Sequence, residues 1–395
     1  MEYDIKQSCV VNAYNRSKVP IIRGEGVYLF DENGNRYLDF ASGIATVGLG
    51  HCHPYIISKL EKQISQLFHC SNLFTIPEQE RLARRLVDLT FADKVFFCSS
   101  GTEAVESAIK FIRRYYYSKG LLYKNRIITI QGGFHGRTIA AISAGGNQKS
   151  KEGFAPLLEG FDHVIRDDIS DLLSAVTDQT AGILLEPIQA EGGVHILNTD
   201  YLRQIRDITR KKDILLCFDE VQCGYGRPGS LFYHQLIGVE PDLLTCAKAM
   251  GNGFPVAACL LKDAIAETIT PGCHGSTYGG NPLAMVAANA VLDLMTEDGF
   301  FDGVSKVGEY LGESLRALSR CNQCIISAVR GIGCIWGVDI NISAQEVVSE
   351  CVRHGLLITR VSNNKTLRIV PPLIIEKSHV DDAVNILNKV IEKIL

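Results

Sequence analysis

The stretch ILLCFD, residues 214–219, and the stretch LLTCAK, residues 243–248, determine the fold that we expect for this chain. Each is a short apolar run of the kind that forms a buried β-strand. The first run ends on a carboxylate, Asp219, and the second delivers Lys248 into a turn of small residues. Charged side chains at the ends of consecutive buried strands indicate an α/β domain, in which ligands bind at the carboxyl ends of the strands.

Asp219 and Lys248 are the two side chains that a pyridoxal phosphate enzyme needs. A lysine amine binds the aldehyde of this cofactor covalently, and an aspartate keeps the pyridine nitrogen protonated so that the ring can accept electrons. Opposite charges that lie close together stabilise each other. The alternative is a surface lysine and a turn aspartate, which these two residues alone do not exclude. The hypothesis therefore depends on further motifs.

Length and composition indicate a globular protein of two domains. The chain has 395 residues, more than one hydrophobic core usually holds. Its formal net charge of −4 argues against a nucleic-acid binder. No apolar stretch approaches the roughly 20 residues that cross a bilayer. The acidic start, Met1–Asp4, is not followed by a signal-peptide core. We therefore expect a cytoplasmic protein with no membrane or nucleic-acid partner.

The thirteen cysteines favour reduced thiols over disulfides or a metal site. Most lie singly in apolar runs, where a thiol behaves as a small hydrophobic side chain. The Cys-x-x-Cys stretch Cys321–Cys324 has no second pair at zinc spacing, so we predict no metal there, and its role stays open. The segment His51–His53 is flanked by glycine and proline and predicts a turn.

The order of elements predicts a large α/β domain at residues 50–290, with a mostly parallel sheet. Its strands are expected at 94–98, 126–130, 181–185, 214–219, 243–247 and 256–261, and its helices at 77–90, 103–118, 171–177 and 200–211. We expect residues 1–49 and 291–395 to form a smaller α+β domain. Its elements are expected to be a hairpin within 19–40, a helix at 301–319, a strand pair around 331–333, a helix at 344–354, two strands and a helix at 378–394.

The first further motif is CSSGTEA, residues 98–104, which follows a strand and opens a helix. Gly101 lets the backbone approach a ligand. The free N–H groups and partial positive charge of a helix N-terminus stabilise a phosphate. The alternative is a simple N-cap by Ser100 or Thr102.

Two glycine-rich motifs follow. In QGGFHGRT, residues 131–138, Phe134 can lie flat against a planar ring and Arg137 offers a fork to a carboxylate. In HGSTYGGNP, residues 274–282, the hydroxyl groups suit another phosphate contact.

The fourth motif, LRIVPP at residues 367–372, places Arg368 in an apolar strand. A buried arginine costs several kcal/mol unless it is paired, and Glu191 is the candidate partner. The motif GYGRPG at residues 224–229 has the glycine spacing of a dinucleotide site. We exclude that function because Pro228 lies inside the motif and no acid follows about 20 residues later.

This combination of motifs resembles the class III (ornithine-type) aminotransferases, which have the fold of pyridoxal phosphate (PLP) enzymes of fold type I. The resemblance extends over nearly the whole chain, from Gly24–Leu29 to Arg368. It implies that Lys248 binds the cofactor covalently and shuttles protons, and that Asp219 pairs with the pyridine nitrogen. It also implies further cofactor contacts within the chain: Ser100, Gly101, Thr102, Phe134, Glu220, Val221 and Gln222. The protein is expected to be a homodimer, in which Thr277 reaches the cofactor phosphate of the neighbouring subunit.

The resemblance also implies the substrates. Arg137 is expected to bind the substrate α-carboxylate with Ser276 nearby, and Glu191 and Arg368 are expected to form a switch pair that admits glutamate or 2-oxoglutarate. Ornithine aminotransferases typically carry a tyrosine where this chain has Gly43–Ala45. Enzymes that act on acetylornithine or on 4-aminobutyrate share this difference, and the compact length and the position of Arg137 favour acetylornithine. The resemblance therefore implies transfer of the terminal amino group of N2-acetyl-L-ornithine to 2-oxoglutarate, a step of arginine biosynthesis.

Several alternatives stay open from the sequence. The amino donor could be 4-aminobutyrate, ornithine or succinyl-diaminopimelate. A PLP-binding regulator would keep Lys248 and Asp219 but would not need Arg137 or the Glu191–Arg368 pair. A mutase or decarboxylase on the same fold would not need two carboxylate sites.

Overall fold

A computed structural model of the chain describes residues 8–361 and 363–394. Residues 1–4 lie outside the described residues. Their acidic sequence was the basis for our prediction that a signal peptide is absent. Within these ranges, no helix is both long and apolar enough to cross a bilayer. The same ranges contain no group of three or more histidine, cysteine or carboxylate side chains that could hold a metal ion.

The N-terminal part forms strands, a tight turn and two helices: β1 (Ile21–Glu25), β2 (Tyr28–Asp31), β3 (Arg36–Asp39), the turn α1 (Ser42–Ala45), α2 (Pro54–Ile64) and α3 (Pro77–Leu89). β2 and β3 form the predicted hairpin. The turn α1 is not a regular helix, because Gly43 and Ile44 have left-handed backbone angles, with φ of 60° and 63°.

The middle of the chain alternates strands and helices. In chain order these are β4 (Lys94–Cys98), α4 (Gly101–Ser118), β5 (Arg126–Ile130), α5 (Ile139–Ala144), β6 (Phe161–Val164), α6 (Ile169–Ala175), β7 (Thr180–Leu185), β8 (Ile188–Gln189), β9 (His195–Ile196), α7 (Thr199–Lys211), β10 (Leu215–Asp219), α8 (Tyr233–Ile237), β11 (Leu243–Cys246), β12 (Ala257–Leu261), α9 (Asp263–Ala266) and α10 (Pro282–Met295). All six predicted strands are present, whereas β6, β8 and β9 were not predicted.

Seven of these strands form one sheet in the order β4-β12-β11-β10-β7-β5-β6. β12 runs antiparallel to β4 and β11, and the remaining pairs are parallel, which confirms a mostly parallel sheet. Along β10, Leu215 and Cys217 pack in the same core cluster as α4, while Leu216 and Phe218 pack in that of α7. Both faces of the strand are therefore buried, which explains its uninterrupted apolar sequence.

The C-terminal part contains α11 (Phe300–Cys321), β13 (Ile326–Ile332), β14 (Ile335–Ile340), α12 (Ala344–Arg353), β15 (Leu356–Leu357), β16 (Thr359–Arg360), β17 (Thr366–Ile369) and α13 (Lys377–Ile394). Three short strands replace the two that we predicted after α12. Four strands form a second sheet in the order β13-β14-β17-β16, and β15 pairs with β3 of the N-terminal sheet. This pairing joins the two segments assigned to the smaller domain. The boundaries near residues 50 and 290 stay a proposal.

Candidate active site

A cavity of about 440 Å³ opens beyond the carboxyl ends of β4, β5, β10 and β11. The loops that follow parallel strands meet at one edge of a sheet, so residues far apart in the chain come together here. The lining includes most of the predicted cofactor residues and Arg137: Ser99, Ser100, Gly101, Thr102, Phe134, His135, Gly136, Arg137, Glu186, Asp219, Val221, Gln222, Ala247, Lys248, Thr46 and residues 253–256.

Asp219, the last residue of β10, is buried and held from three directions. Its Oδ1 accepts hydrogen bonds from Thr245 Oγ1 at 3.0 Å and from the Val221 backbone N–H at 3.1 Å. Its Oδ2 lies 2.7 Å from Nδ1 of the buried His135. The carboxylate is therefore fixed in place before any ligand binds.

Lys248 follows β11 and begins a 3₁₀ turn, Lys248–Gly251. Burial lowers the pKa of Lys248 to about 7, and the positive charge of Arg368 acts in the same direction. Three carboxylates have a smaller, opposing effect: Glu191, Glu186 and Asp219. A large fraction of the amine is therefore uncharged near neutral pH, and only the uncharged form of an amine is a nucleophile.

The N-terminus of α4 points into the cavity. Ser100 caps this helix, because its Oγ accepts from the Glu103 N–H at 3.5 Å and Glu103 Oε2 accepts from the Ser100 N–H at 3.0 Å. The simple N-cap considered above is thus present. The first N–H groups of a helix still lack intrahelical acceptors, so those of Gly101 and Thr102 can bind an anion. A Cβ on Gly101 would lie 2.7 Å from Val221 Cγ1, so this glycine is also required for close packing.

The loop after β5 contributes an aromatic ring and a cation. The guanidinium carbon of the exposed Arg137 lies 5.5 Å from the centre of the Phe134 ring. The Phe134 backbone N–H donates to Oε2 of the buried Glu186 at 2.8 Å. Burial, together with the negative charge of Asp219, raises the pKa of Glu186 well above its usual range, which favours a neutral carboxyl group.

The predicted ion pair between Arg368 and Glu191 is present. Arg368 lies on β17, and its Nη1 contacts a carboxylate oxygen of Glu191 and donates to Gln222 Oε1 at 2.9 Å. Its Nε donates to Thr359 Oγ1 at 3.2 Å. The side chain of Arg368 is 3% exposed and that of Glu191 is 24% exposed. Glu191 therefore has access to solvent, whereas Arg368 does not.

Glu220 directly follows Asp219, and its side chain contacts a helix. Its carboxylate accepts from the backbone N–H groups of Tyr233 at 2.6 Å and His234 at 2.9 Å, at the start of α8. Successive side chains of an extended segment point to opposite sides, so Glu220 points away from the cavity that Asp219 lines. The Glu220 side chain caps α8, and a cofactor contact by this residue stays a proposal.

Ser276 and Thr277 lie in a different cavity, of about 880 Å³, which His69, Asn72 and Phe97 also line. Ser276 Oγ accepts from the Gly279 N–H at 2.9 Å. Within one chain, Ser276 is therefore not beside Arg137. The resemblance places Ser276 on the loop that completes the partner's site, so its predicted substrate contact stays a proposal. Thr277 was expected to serve the neighbouring subunit, and its position leaves that expectation a proposal.

Three residues of the site were missed by sequence reasoning: His135, Glu186 and Thr245. Each lies at or just beyond the end of a strand of the central sheet. That position is the only signal in the sequence. It does not reveal that His135 and Thr245 would both contact Asp219.

Comparison with known proteins gives consistent matches over almost the full length. Residues 10–391 match the family model of class-III aminotransferases. Acetylornithine aminotransferase 1 of Bradyrhizobium diazoefficiens is 45% identical over 95% of this chain and 93% of that protein. The acetylornithine aminotransferase of Agrobacterium fabrum is 46% identical over 92% and 91%, respectively. The crystal structure of ornithine aminotransferase from Toxoplasma gondii gives a TM-score of 0.94 at 30% identity, covering 98% of this chain and 93% of that one.

Proposed function

The chain belongs to the class-III aminotransferases, and we propose that it transfers the terminal amino group of N2-acetyl-L-ornithine to 2-oxoglutarate. The products are N-acetylglutamate 5-semialdehyde and glutamate. Acetylornithine aminotransferases with 45% and 46% identity over more than nine-tenths of the chain support this amino donor. The structural observation that carries the proposal is the Arg368–Glu191 ion pair, which contacts the cavity of Lys248 and Asp219 through the lining residue Gln222.

The residues that line the cavity fit pyridoxal 5'-phosphate, the cofactor of this family. A partly uncharged lysine, a fixed aspartate, an aromatic ring and a helix N-terminus are the groups that its aldehyde, ring nitrogen, ring face and phosphate require. Lys248, Asp219, Phe134 and the start of α4 would hold these four parts, in that order. When bound, the cofactor withdraws electrons from the substrate carbon that carries the amino group.

Asp219 stabilises positive charge on the atom that it faces. Its carboxylate is buried and already oriented by Thr245, Val221 and His135, so no reorganisation is needed when a protonated nitrogen binds. A hydrogen bond between a charged donor and a charged acceptor is stronger than a neutral one.

Lys248 moves the proton. Proton transfer is most efficient when the pKa of the acid–base group lies near the working pH, and the pKa of Lys248 is lowered to about 7. Its Nζ can therefore take a proton from the substrate carbon and return it in the next step.

Arg137 and Arg368 bind different carboxylates of the substrates. Arg137, exposed at the cavity, binds the carboxylate that both substrates share, and Arg368 binds the second carboxylate that only the dicarboxylate brings. Glu191 neutralises Arg368 while the aliphatic chain of the acylated donor lies beside it, because an unpaired buried guanidinium would be costly. When 2-oxoglutarate binds, Glu191 moves toward solvent.

A panel of amino donors tests this function. Purified protein is assayed with 2-oxoglutarate and N2-acetyl-L-ornithine, succinyl-diaminopimelate, ornithine or 4-aminobutyrate, and glutamate formation is measured. We expect the highest kcat/KM for N2-acetyl-L-ornithine. A higher value for another donor would contradict the substrate assignment and leave the aminotransferase activity standing. Absence of glutamate with every donor would favour a regulator that binds the cofactor without catalysis.

A homodimer and a cytoplasmic location are part of the same proposal. The Ser276–Thr277 loop faces a cavity of its own, and apolar side chains near it are exposed, among them Leu73 at 89% and Tyr278 at 64%. A second subunit that covers them would bring Thr277 to its own cofactor phosphate. The thirteen cysteines are all free thiols, which suits the reducing cytoplasm.

Mixing two inactive variants tests the shared site. Lys248→Ala and Thr277→Val subunits are each expected to be impaired, and mixed dimers should regain activity, because one site then combines Lys248 with an intact Thr277 from the other subunit. Sedimentation should show a dimer. An active monomer, or no recovery after subunit exchange, would contradict the proposal.

A further inference from the structure

We propose that a chain of hydrogen bonds between the loop of Glu191 and the strand of Arg368 sets the geometry of their ion pair and so controls substrate selectivity. Its members are Gly193, Arg330, Asp339 and Thr366, and we name it the Arg330 brace. The inference rests on the proposed function, because it gives the ion pair different roles with the two substrates. Arg330 and Asp339 are positioning residues that act through Glu191 and Arg368.

One end of the Arg330 brace holds the loop that carries Glu191. Arg330 Nε donates to the backbone carbonyl of Gly193 at 2.8 Å, two residues after Glu191. The loop is a tight turn, closed by a hydrogen bond of 3.3 Å from the Val194 N–H to the Ala190 carbonyl. Fixing the Gly193 carbonyl therefore limits where the Glu191 backbone can move.

The middle of the Arg330 brace is a bidentate ion pair between neighbouring strands. Arg330 on β13 donates from Nη1 to Asp339 Oδ2 at 2.6 Å and from Nη2 to Asp339 Oδ1 at 2.8 Å. Burial acts to raise the pKa of Asp339, but hydrogen bonds from Arg330 and Thr366 lower it below its usual range. A planar fork bound at three points leaves the guanidinium no freedom to rotate.

The other end of the Arg330 brace reaches the strand that carries Arg368. Thr366 Oγ1 donates to Asp339 Oδ1 at 2.5 Å, and Thr366 lies opposite Asp339 in the pairing of β14 with β17. Arg368 is two residues further along β17, so its side chain lies on the same face as that of Thr366. One hydrogen-bonded path thus runs from the loop of Glu191 to the strand of Arg368.

A close backbone contact supports the Arg330 brace at the position of Arg368. Gly337 is paired with Arg368 across β14 and β17. A Cβ on Gly337 would lie 2.9 Å from the Gly193 carbonyl oxygen and 3.0 Å from Val194 Cβ. The absence of a side chain there lets the loop of Glu191 rest directly on the strand pair.

The Arg330 brace has a different effect on each substrate. The acylated amino donor needs Glu191 held against Arg368, whereas the dicarboxylate needs Arg368 released. Loosening the loop should reduce the population of the closed ion pair, which hinders the first half-reaction and leaves the second unchanged or improved. A purely structural ion pair would affect both half-reactions alike.

Arg330→Gln, Asp339→Asn and the conservative Arg330→Lys test the proposal in the loaded enzyme. The matched control is Arg126→Gln, because Arg126 and Asp162 form another bidentate pair across neighbouring strands, with distances of 2.9 and 2.6 Å. Single-turnover half-reactions are measured with N2-acetyl-L-ornithine and with glutamate. We expect kcat/KM for N2-acetyl-L-ornithine to fall about tenfold in Arg330→Gln and Asp339→Asn and less in Arg330→Lys, with a change of less than about twofold for glutamate.

Binding of glutarate, an unreactive dicarboxylate, gives a second readout. Its affinity should be unchanged or higher in Arg330→Gln, because Arg368 is freed from Glu191 more easily. Equal losses in both half-reactions, weaker glutarate binding, or no change in any variant would overturn the proposal. If Arg330→Gln does not fold, the ratio of the kcat/KM values for N2-acetyl-L-ornithine and glutamate in Arg330→Lys decides the question. If the wild type prefers another donor, the proposed function fails, and glutarate binding together with that donor still tests the Arg330 brace.

Discussion

The active site has two ends, and they differ in how firmly their charges are held. The cofactor end lies in the cavity, whereas the substrate end, the Arg368–Glu191 pair, lies outside the cavity lining and contacts it through Gln222. At the cofactor end, Asp219 is 3% exposed and contacts Thr245, Val221 and His135. At the substrate end, Glu191 is 24% exposed and its ion-pair partner is Arg368. A buried carboxylate whose oxygens are all hydrogen-bonded has no alternative position, whereas a partly exposed carboxylate can exchange its partner for water.

This difference matches the chemistry expected at each end. The cofactor is the same in both half-reactions, so a rigid site serves both. The two substrates differ, because one has a neutral chain and the other has a second carboxylate. The Arg368–Glu191 pair, which contacts this part of the substrate, therefore needs two states. Substitutions at the cofactor end should therefore harm both half-reactions equally, and substitutions at the substrate end should separate them.

The largest effect is expected for Lys248→Ala, which removes the amine that we propose to bind the cofactor covalently and to transfer protons. Both half-reactions should fall by at least about 10⁴-fold. Lys262→Ala, which removes a surface lysine paired with Glu240, is the control and should retain activity. Borohydride reduction of the wild type followed by peptide mapping should label Lys248. Labelling at Lys262 or Lys110 instead would show that the assignment is wrong.

A smaller effect is expected for Asp219→Ala. The variant should still bind the cofactor through Lys248, and both half-reactions should slow by roughly 10³-fold, because no fixed negative charge remains near the ring nitrogen. The neighbouring acid provides the control. Glu220→Gln leaves one α8 N–H facing an amide nitrogen and should cost stability. Its side chain points away from the cavity, and burial raises the pKa of Glu220 to about 8, so loss of its charge should change rates less than about threefold. Near-normal turnover in Asp219→Ala would mean that another group supplies the charge.

The rigid end of the site was also the more predictable from sequence. Asp219 and Lys248 end apolar runs that are buried on both faces, and such runs give clear strand signals. The missed strand β6, with the sequence FDHV, lies at the edge of the sheet, where half of its residues can be polar. The partners of Asp219 could not be predicted, because His135 precedes it by 84 residues and the contact depends on how β5 and β10 are placed in the sheet.

Two other site residues lie where the sequence could not place them, for physical reasons. The resemblance assigned Glu220 to the cofactor, but the alternation of an extended segment turns its carboxylate toward α8. Ser276 was assigned to the substrate on a loop that completes the partner's site, and that loop lies in a second cavity of its own chain, so the assignment depends on the second subunit. By contrast, the cost of a buried arginine predicted that Arg368 has an anionic partner, a rule that holds whatever the topology, and Glu191 was the candidate that the structure confirms.

The central claim, that Glu191 and Arg368 are a switch, is tested most directly by stopped-flow half-reactions of Glu191→Ala and Arg368→Ala. In Glu191→Ala the reaction with N2-acetyl-L-ornithine should slow about tenfold while the reaction with glutamate is spared or improved. In Arg368→Ala the reaction with glutamate should slow about 10²-fold while that with N2-acetyl-L-ornithine changes little. Equal losses in both half-reactions of both variants would show that the pair is structural and contradict the account.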